Sequence, residues 1–210
     1  MEKQEIRTFG RRHGKKLSAR KEWLMENLLP KIAPNESETN EILEIGFGAG
    51  EHVRELAIEK PGKIIIGAEP FINGVAALLS AIADENNSLL KEYKNIRIWP
   101  DDVRLILNKN SYKFDEIWVL HPDPWPKARH EKRRLLNHEF LKLLGKNLAK
   151  NGKIIIGTDH WGYYDWIKDQ VLQTNLIVNT DEMESIKTRY QAKNMAKTAQ
   201  PKYLVLVNKD

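Results

Sequence analysis

Short apolar runs alternate with amphipathic stretches along most of the chain. Apolar runs without polar alternation are typical of strands buried on both faces of a sheet, and apolar residues three or four positions apart indicate helices. The runs predict strands over 41–46, 63–69, 95–99, 114–120, 153–157, 176–179 and 203–207. Helices are predicted over 52–60, 73–84, 102–107, 132–150 and 163–172. This order indicates βαβ units, and hence an α/β fold with a mostly parallel sheet.

The composition is that of a globular protein. The chain has 210 residues, 41% hydrophobic and 30% charged, and a chain of this length can bury a sizeable core in one domain. It contains no cysteine, which excludes disulfides, cysteine-ligated metals and cysteine nucleophiles. No apolar run is long enough to span a bilayer, and residues 1–9 lack the apolar core of a signal sequence. The expected location is therefore the cytoplasm.

Positive charge is concentrated at the N-terminus. The formal net charge of the whole chain is +5, yet residues 1–21 hold eight basic and only two acidic side chains, so the remainder is nearly neutral. We call residues 1–21 the N-terminal arm. Its basic residues are Lys3, Arg7, Arg11, Arg12, Lys15, Lys16, Arg20 and Lys21.

A second group of basic residues follows the fourth predicted strand. We call it the basic cluster, and it comprises Lys127, Arg129, Lys132, Arg133 and Arg134. Two separated basic regions favour a polyanion, such as a nucleic acid, that touches the protein in two places. Solvated basic segments without a ligand are the alternative. For the arm taken alone, the two interpretations have equal weight.

Three closely spaced glycines follow the first predicted strand. Gly46, Gly48 and Gly50 let the backbone turn tightly at the start of a helix and approach a ligand closely. Glu69 ends the second strand, where a carboxylate can accept hydrogen bonds from ribose hydroxyls. A pyrophosphate-binding loop would gain little from the acidic Glu44 just before the turn, whereas the cationic S-adenosylmethionine would gain from it. These residues therefore favour S-adenosylmethionine over a dinucleotide.

An acidic pair follows the third predicted strand. Asp102 lies at the sheet edge that usually contacts the amino group of an adenine. Asp101 precedes it directly, and the sequence alone does not choose between them.

Three prolines within five residues follow the fourth strand. Each proline fixes its own φ and restricts the residue before it, so residues 121–130 predict a rigid loop at the edge of the site. Asp123 lies between two of these prolines. Trp125 offers a flat face for stacking on a base, and Lys127 and Arg129 can meet phosphates. The alternative is a structural turn with a packed tryptophan.

These residues resemble the bacterial tRNA (guanine-N7-)-methyltransferase family. The most specific part of the resemblance is the stretch from Pro122 to Arg134, joined by the glycine turn with Glu44 and Glu69. It extends from Arg7 to the last strand and includes Asp159 after the fifth strand. The resemblance implies a Rossmann-like methyltransferase fold, a mostly parallel seven-stranded sheet with helices on both faces in a single domain. We expect an arm and first helix over residues 1–30 and the methyltransferase domain over 31–210.

The family's activity and site residues are carried over as expectations. The resemblance implies methyl transfer from S-adenosylmethionine, leaving S-adenosylhomocysteine, to N7 of guanine 46 in the tRNA variable loop. It places Glu44, Glu69, Asp102 and Asp123 on the cofactor side. On the substrate side it places Lys127, Asp159 and the stretch Thr188, Arg189, Tyr190 and Gln191. The family usually has a glutamate at the position of Gln191, which leaves the role of that residue open.

The reaction itself favours a carboxylate near the guanine. N7 carries a free lone pair at neutral pH, so no base has to remove a proton, and positioning and electrostatics can supply the catalysis. The purine becomes more positive as N7 is alkylated. Our hypothesis is that Asp123 stabilises this charge or holds the guanine edge.

Three other functions compete with this one. A nicotinamide-dependent oxidoreductase would share the glycine turn, and Tyr164 and Lys168 have the spacing of a dehydrogenase pair, although these two residues are expected to share a helix face. A non-catalytic RNA-binding module would explain the arm but not the acidic strand ends. A methyltransferase for an exocyclic amine would have a similar loop after the same strand.

Metal binding and assembly are the last sequence-based expectations. The six histidines show no metal-ligand spacing, so no metal is expected. His130 and His138 are assigned to one helix, eight residues apart, and His121 is expected to be a packed strand-end imidazole. His160 stays ambiguous. We expect a monomer, with a homodimer left open, and no membrane partner.

Overall fold

The computed structural model describes residues 9–35, 41–109, 112–181, 183 and 201–209. They form two compact units, which divide between Tyr112 and Lys113. The helices of the described residues are α1 Ala19–Asn27, α2 Glu51–Glu59, α3 Ile72–Ile82, α4 Val103–Leu107, α5 His138–Lys146 and α6 Trp161–Val171. Short 3₁₀ helices cover Leu29–Ile32, Lys91–Tyr93 and Ala128–Arg133.

Seven strands form a mostly parallel sheet, which confirms the predicted α/β fold class. They are β1 Glu41–Ile45, β2 Ile64–Ala68, β3 Ile96–Trp99, β4 Phe114–Leu120, β5 Leu148–Thr158, β6 Leu176–Val178 and β7 Lys202–Asn208. Their order in the sheet is β3-β2-β1-β4-β5-β7-β6. Every predicted strand is present, because long unbroken apolar runs are the clearest strand signal in a sequence. Among the described residues, no helix combines the length and the apolarity needed to cross a bilayer.

In the first unit, β1, β2 and β3 are parallel, so their carboxyl ends meet at one edge. Ile45 pairs with Ala68, and Ala68 pairs with Trp99. All five residues of β1 are buried, as the unalternating apolar pattern predicts. Residues placed just after these strands are therefore neighbours.

The described part of the N-terminal arm contacts the same unit. The Gly14 N–H donates to Asn73 Oδ1 at 2.7 Å, and Asn73 Nδ2 donates to the Lys15 carbonyl at 2.7 Å. The Ile72 N–H donates to the Arg12 carbonyl at 3.0 Å. A Cβ on Gly14 would lie 2.8 Å from Asn73 Oδ1, so the contact requires a glycine there. Residues 12–15 thus run along the start of α3.

In the second unit, three strands bring their ends to one edge. β4 and β5 are parallel, with Leu120 opposite Gly157. β7 is antiparallel to β5, with Thr158 opposite Lys202. The segments that follow β4 and β5 therefore begin at one edge of this unit. Strand β7 starts at the same edge.

The predicted helix over 132–150 is wrong at both ends. Residues 128–133 form a 3₁₀ helix, and α5 begins only at His138, where Asn137 Oδ1 accepts from the Phe140 N–H at 3.0 Å. Consequently His130 and His138 do not share a helix. At the other end β5 already begins at Leu148, and Asn151, with φ of 65°, lies inside that strand rather than terminating a helix. The register against β4 shifts there, because the left-handed residue interrupts regular pairing.

Candidate active site

The glycine turn after β1 has the conformation that only glycine adopts readily. Gly46, Gly48 and Gly50 have φ of 73°, 58° and 81°, in the left-handed region. The Gly46 N–H donates to the Ala68 carbonyl at 2.8 Å, which joins the turn to the end of β2. A Cβ on Gly46 or Gly48 would meet nothing within 4 Å. One side of the turn is therefore open.

Glu69 fixes this turn with both carboxylate oxygens. Oε2 accepts from the Gly48 N–H at 2.9 Å, and Oε1 accepts from the Phe71 N–H at 2.8 Å. Burial raises the pKa of this carboxyl above the ordinary 4.5, and the two N–H donors, Phe71 first, oppose that rise. Each carboxylate oxygen can accept a second hydrogen bond. Glu69 can therefore hold the turn and still accept from two ribose hydroxyls.

Glu44 is buried at the end of β1 and contacts a histidine. His52 on α2 places Nδ1 2.8 Å from Glu44 Oε2, and both residues are at least nine-tenths buried. This contact orients the carboxylate beside the glycine turn. The sequence does not predict a role for His52, because its position on α2, eight residues after Glu44, belongs to no recognisable motif.

The two aspartates that follow β3, Asp101 and Asp102, have different structural roles. The Asp102 carboxylate caps α4 by accepting from the Arg104 N–H at 2.9 Å, and it pairs with the Arg104 guanidinium at 2.9 and 2.7 Å. Asp101 is more exposed; it accepts from the Asp102 N–H at 2.8 Å and pairs with Arg12 of the arm. A contact between Asp102 and adenine stays a prediction.

These features fit the nucleoside part of S-adenosylmethionine. The turn has an open side, and Glu69 lies next to it with lone pairs to spare. Gly74 packs so closely that a Cβ there would fall 2.4 Å from the Gly48 carbonyl oxygen. The turn is thus held by α3 as well as by β2, which is the preorganisation that a cofactor site needs.

The proline loop that follows β4 begins with a strained residue. His121 has φ of 49° and Trp125 has φ of 40°, values that cost non-glycine residues energy and often mark functional sites. The His121 N–H donates to the Gly157 carbonyl at 2.8 Å, so the loop starts against β5. The His121 side chain is exposed, and the expectation of a packed imidazole is wrong because the left-handed backbone turns this residue outward.

A buried arginine holds the proline loop. Arg134 Nε donates to the Pro124 carbonyl at 2.8 Å, and Nη2 reaches the Trp125 carbonyl at 3.4 Å. Its guanidinium also lies over the rings of Tyr163 and Trp166, 5.6 and 4.9 Å from their centroids. Arg134 is only 6% exposed. Its inclusion in the basic cluster predicted to meet a polyanion is therefore wrong, because the buried guanidinium binds the loop carbonyls instead.

Of the remaining basic side chains, Arg133 contacts Trp125. Lys127, Arg129 and Lys132 are exposed, whereas Arg133 is half-buried and places its guanidinium 5.0 Å from the Trp125 ring centroid. His130 meets the same ring edge-on at 5.7 Å. Slight burial and the neighbouring cations lower the pKa of His130. One tryptophan face is thus already covered by a cation.

Asp123 and Asp159 lie after the two parallel strands of the second unit. Both side chains are exposed. Burial raises the pKa of Tyr163 to about 12. The Leu136 N–H and Arg134 oppose this rise, and the negative charge of Asp123 makes a small addition to it. Tyr163 therefore stays neutral at physiological pH and cannot serve as a base.

The other predicted residues have clear positions or fall outside the described residues. His160 caps α6, with Nδ1 accepting from the Tyr163 N–H at 3.1 Å. Tyr164 and Lys168 both lie on α6, as expected for one helix face. Thr188, Arg189, Tyr190 and Gln191 lie outside the described residues. Within the described ranges, no group of three or more histidines or carboxylates is placed to hold a metal ion.

Comparisons with known proteins point to one enzyme family. A family model described as "Putative methyltransferase" matches residues 38–203. The chain is 37% identical over 193 residues to a tRNA (guanine-N(7)-)-methyltransferase of Neorickettsia sennetsu, which covers 91% of this chain and 86% of the relative. It is 32% identical to the protein of the same name from Caulobacter vibrioides (strain NA1000 / CB15N), over 92% of both chains.

Solved structures share the fold at low sequence identity. A precorrin-6y C5,15-methyltransferase from Geobacter metallireducens has a TM-score of 0.55 and 13% identity, covering 94% of this chain and 92% of its own. A ribosomal protein L11 methylase from Lactobacillus delbrueckii has a TM-score of 0.53 and 13% identity, covering 91% and 78%. These likenesses confirm the Rossmann-like methyltransferase fold. The family to which the sequence relatives belong uses S-adenosylmethionine as its cofactor.

The buried guanidinium generates a stability prediction. Arg134→Lys keeps the positive charge but loses the planar fork that reaches two carbonyls. We expect the free energy of unfolding in urea to fall by about 1.5–3 kcal/mol, the usual contribution of a hydrogen bond to a charged group. Arg129→Lys, at an exposed position, is the matched control and should change it by less than about 0.5 kcal/mol. Equal stability of the two variants would contradict the assigned role of Arg134.

The raised pKa of Glu69 generates a pH prediction. We expect ribose hydroxyls to donate to the ionised carboxylate, so S-adenosylhomocysteine affinity should be constant at neutral pH and fall as pH drops through this pKa, which lies above 4.5. The fall should therefore start at a higher pH than an ordinary glutamate would give. Titration calorimetry across the acid range measures it.

Two variants serve as references for this pH dependence. Glu69→Gln should bind weakly and lose the acid-dependent fall, whereas exposed Glu51→Gln should behave as wild type. Protonation of Glu69 does not unfold the protein, so acid unfolding caused by this group cannot explain the loss of affinity. A raised carboxyl pKa makes this group's contribution to folding stability larger, not smaller, as pH falls. If the affinity of Glu69→Gln for S-adenosylhomocysteine fell with pH in parallel with that of wild type, binding of the ribose by Glu69 would be refuted.

Proposed function

The chain belongs to the tRNA (guanine-N7)-methyltransferase family, and we propose that it methylates N7 of a guanine in the tRNA variable loop. The observation that carries the proposal is the similarity to relatives of that name over about nine-tenths of the chain. The open glycine turn beside Glu69 supports it, because a turn with free space and a neighbouring carboxylate can accept a nucleoside. The exposed basic side chains of the arm and of the basic cluster are suited to RNA phosphates.

The first unit would bind the cofactor. S-adenosylmethionine supplies a methyl group carried on a positive sulfonium. In this proposal Glu69 accepts from the ribose hydroxyls, and Glu44, oriented by His52, provides negative charge near the cationic amino-acid end. The backbone of the glycine turn approaches the ligand at Gly46 and Gly48, where no side chain intervenes.

Asp123 would act on the guanine. Its carboxylate is exposed, and no hydrogen bond or ion pair to it occurs among the described residues. Arg134 fixes the carbonyl of the next residue, Pro124, at 2.8 Å. The carboxylate thus stands on a fixed backbone and is free for a substrate. There it would hold the guanine edge and stabilise the positive charge that grows on the purine as N7 is alkylated.

Methyl transfer to tRNA lacking the modification tests the function and the role of Asp123 together. Wild type should transfer a tritiated methyl group from S-adenosylmethionine, and nucleoside analysis should identify 7-methylguanosine. Asp123→Ala should lower kcat by about 100-fold, as loss of one electrostatic stabiliser does, with a much smaller change in S-adenosylhomocysteine affinity. Glu92→Gln, an exposed carboxylate in the short 3₁₀ helix Lys91–Tyr93, is the control.

Each competing function predicts a different result. A methylated exocyclic amine would reassign the enzyme, and tRNA binding without transfer would leave only an RNA-binding module. Tighter binding of NAD than of S-adenosylhomocysteine would favour the oxidoreductase. Near-normal kcat in Asp123→Ala would remove that residue from catalysis.

We infer that the arm binds tRNA phosphates through only some of its basic residues. Arg12 pairs with Asp101, and Arg20 donates to Asn87 Oδ1 at 2.9 Å and to Ser80 Oγ at 2.6 Å. These two side chains hold the arm on its own unit. Arg11, Lys15 and Lys16 are exposed and are left for RNA.

Removing those three charges should weaken tRNA binding and flatten its salt dependence. Each lost phosphate contact reduces the slope of log K against log salt by about 0.7–0.9. The triple variant Arg11→Gln, Lys15→Gln, Lys16→Gln should therefore lose about 2 slope units while retaining S-adenosylhomocysteine binding. The control is Lys31→Gln, Lys91→Gln, Lys94→Gln, which removes the same charge from other exposed positions. Identical salt slopes in the two triple variants would refute the arm's role.

The location and assembly follow as proposals from the same function. A cysteine-free tRNA-modifying enzyme fits the cytoplasm, where its substrate is made. We propose that it acts as a monomer, with a homodimer as the alternative. Sedimentation of the protein alone and with tRNA distinguishes the two states.

A further inference from the structure

Helix α6 begins with a tryptophan that is largely in solvent. Trp161 is 64% exposed, which leaves much of a large apolar ring in contact with water. It follows Asp159 by two residues, directly after β5. No step of the proposed reaction uses this indole.

The exposed ring is nevertheless held in place. Lys202 Nζ lies 3.1 Å from the Trp161 ring centroid and 4.6 Å from that of Tyr164. Lys202 begins β7, opposite Thr158 of β5, so rigid backbone supports both partners. A cation over one face fixes the ring, and the exposed remainder provides a flat surface. The arrangement is a stacking platform of one indole and its supporting lysine.

The platform lies at the sheet edge that bears the proline loop. Leu120, the last residue of β4, is opposite Gly157 of β5, and the His121 N–H donates to the Gly157 carbonyl. The loop carrying Asp123 and the turn carrying Trp161 therefore leave adjacent ends of two parallel strands. A polynucleotide whose guanine meets Asp123 passes this edge.

The surroundings of Trp161 fit a nucleic acid better than a protein. Its exposed neighbours on α6 include Asp165, Lys168 and Asp169, whereas the centre of a protein–protein interface is depleted of charged residues. The two carboxylates repel phosphates, so an RNA contact at this position is to the face of a base and not to the backbone. A single aromatic face among charged residues is how proteins bind unpaired bases.

We propose that Trp161 stacks on an unpaired base of the tRNA adjacent to the methylated guanine, with Lys202 as the support of its ring. This rests on the proposed function. A guanine drawn towards Asp123 leaves the base stack, and its neighbour then loses a stacking partner. The indole replaces that partner and so positions the target nucleotide.

Affinity measurements on Trp161 variants test the stacking contact. In the presence of S-adenosylhomocysteine, Trp161→Ala should weaken binding of an unmodified tRNA transcript about tenfold, within the range found when a base–aromatic stack is lost. Trp161→Phe should remain within about threefold of wild type. Leu172→Ala, at an 83% exposed position just after α6, is the control and should bind as wild type does.

Two further measurements identify what Trp161 contacts. Since stacking is not ionic, the salt slope of Trp161→Ala should equal that of wild type. Transcripts with an abasic nucleotide on either side of the target guanine complete a double-mutant cycle. The Trp161→Ala penalty should disappear on one of them and persist on the other. Thermal unfolding and S-adenosylhomocysteine affinity should be unchanged, which excludes a folding defect.

The outcomes separate this inference from the function on which it rests. If wild type methylates tRNA and Trp161→Ala binds it equally well, the stacking role is refuted and the function stands. A penalty that persists on both abasic transcripts, or a flatter salt slope, also refutes stacking, as does loss of self-association with unchanged tRNA affinity. If wild type neither binds nor methylates tRNA, the proposed function fails, and the inference fails with it.

Discussion

The proline loop keeps its shape because a buried guanidinium binds its carbonyl groups. Two non-glycine residues of this loop, His121 and Trp125, have positive φ, and such a backbone persists only where surrounding contacts determine it. Arg134 supplies those contacts at Pro124 and Trp125, while the rings of α6 shield its charge from water. The position of Asp123 therefore depends on a residue eleven places later in the chain.

A carboxylate performs the same task in the first unit. Glu69 binds two backbone N–H groups, one in the glycine turn and one at the start of α3. Burial makes its charge costly, and the two donors offset part of that cost. In both units, then, a buried ionisable group binds backbone polar atoms and fixes a loop that no regular secondary structure could hold.

The sequence predicts the strands well and the long helix poorly, for one physical reason. Apolar runs reveal burial, which is why β1 to β7 lie where the pattern places them. The stretch 132–150 contains enough apolar residues for a helix, but the pattern does not show that Asn137 caps a later start or that Asn151 adopts a left-handed φ within β5. Those features are set by local hydrogen bonds and by pairing with β4, neither of which leaves a periodic pattern of apolar residues in the sequence.

Formal charge is likewise a poor guide to what a basic residue does. Counting charges assigns both Arg134 and Arg20 to regions that bind a polyanion. Yet Arg134 is buried, and Arg20 donates to Asn87, Ser80 and backbone carbonyls. A long side chain reaches internal acceptors that lie far away in sequence, so its partner is invisible without the fold. The motif identifies the family, and only the structure separates residues that bind ligand from those that hold the loops.

The acidic residues likewise separate into those that hold the protein's own backbone or side chains and those that are free to bind a ligand. Glu69 and Asp102 are buried and already accept hydrogen bonds, from backbone N–H groups in the first case and from Arg104 in the second. Asp123 is exposed on a loop whose backbone is fixed by another residue. A carboxylate that must respond to charge developing on a substrate cannot be committed to internal donors, whereas one that holds a backbone turn must be. The difference in burial and partners, more than the shared residue type, therefore favours Asp123 as the residue that meets the guanine.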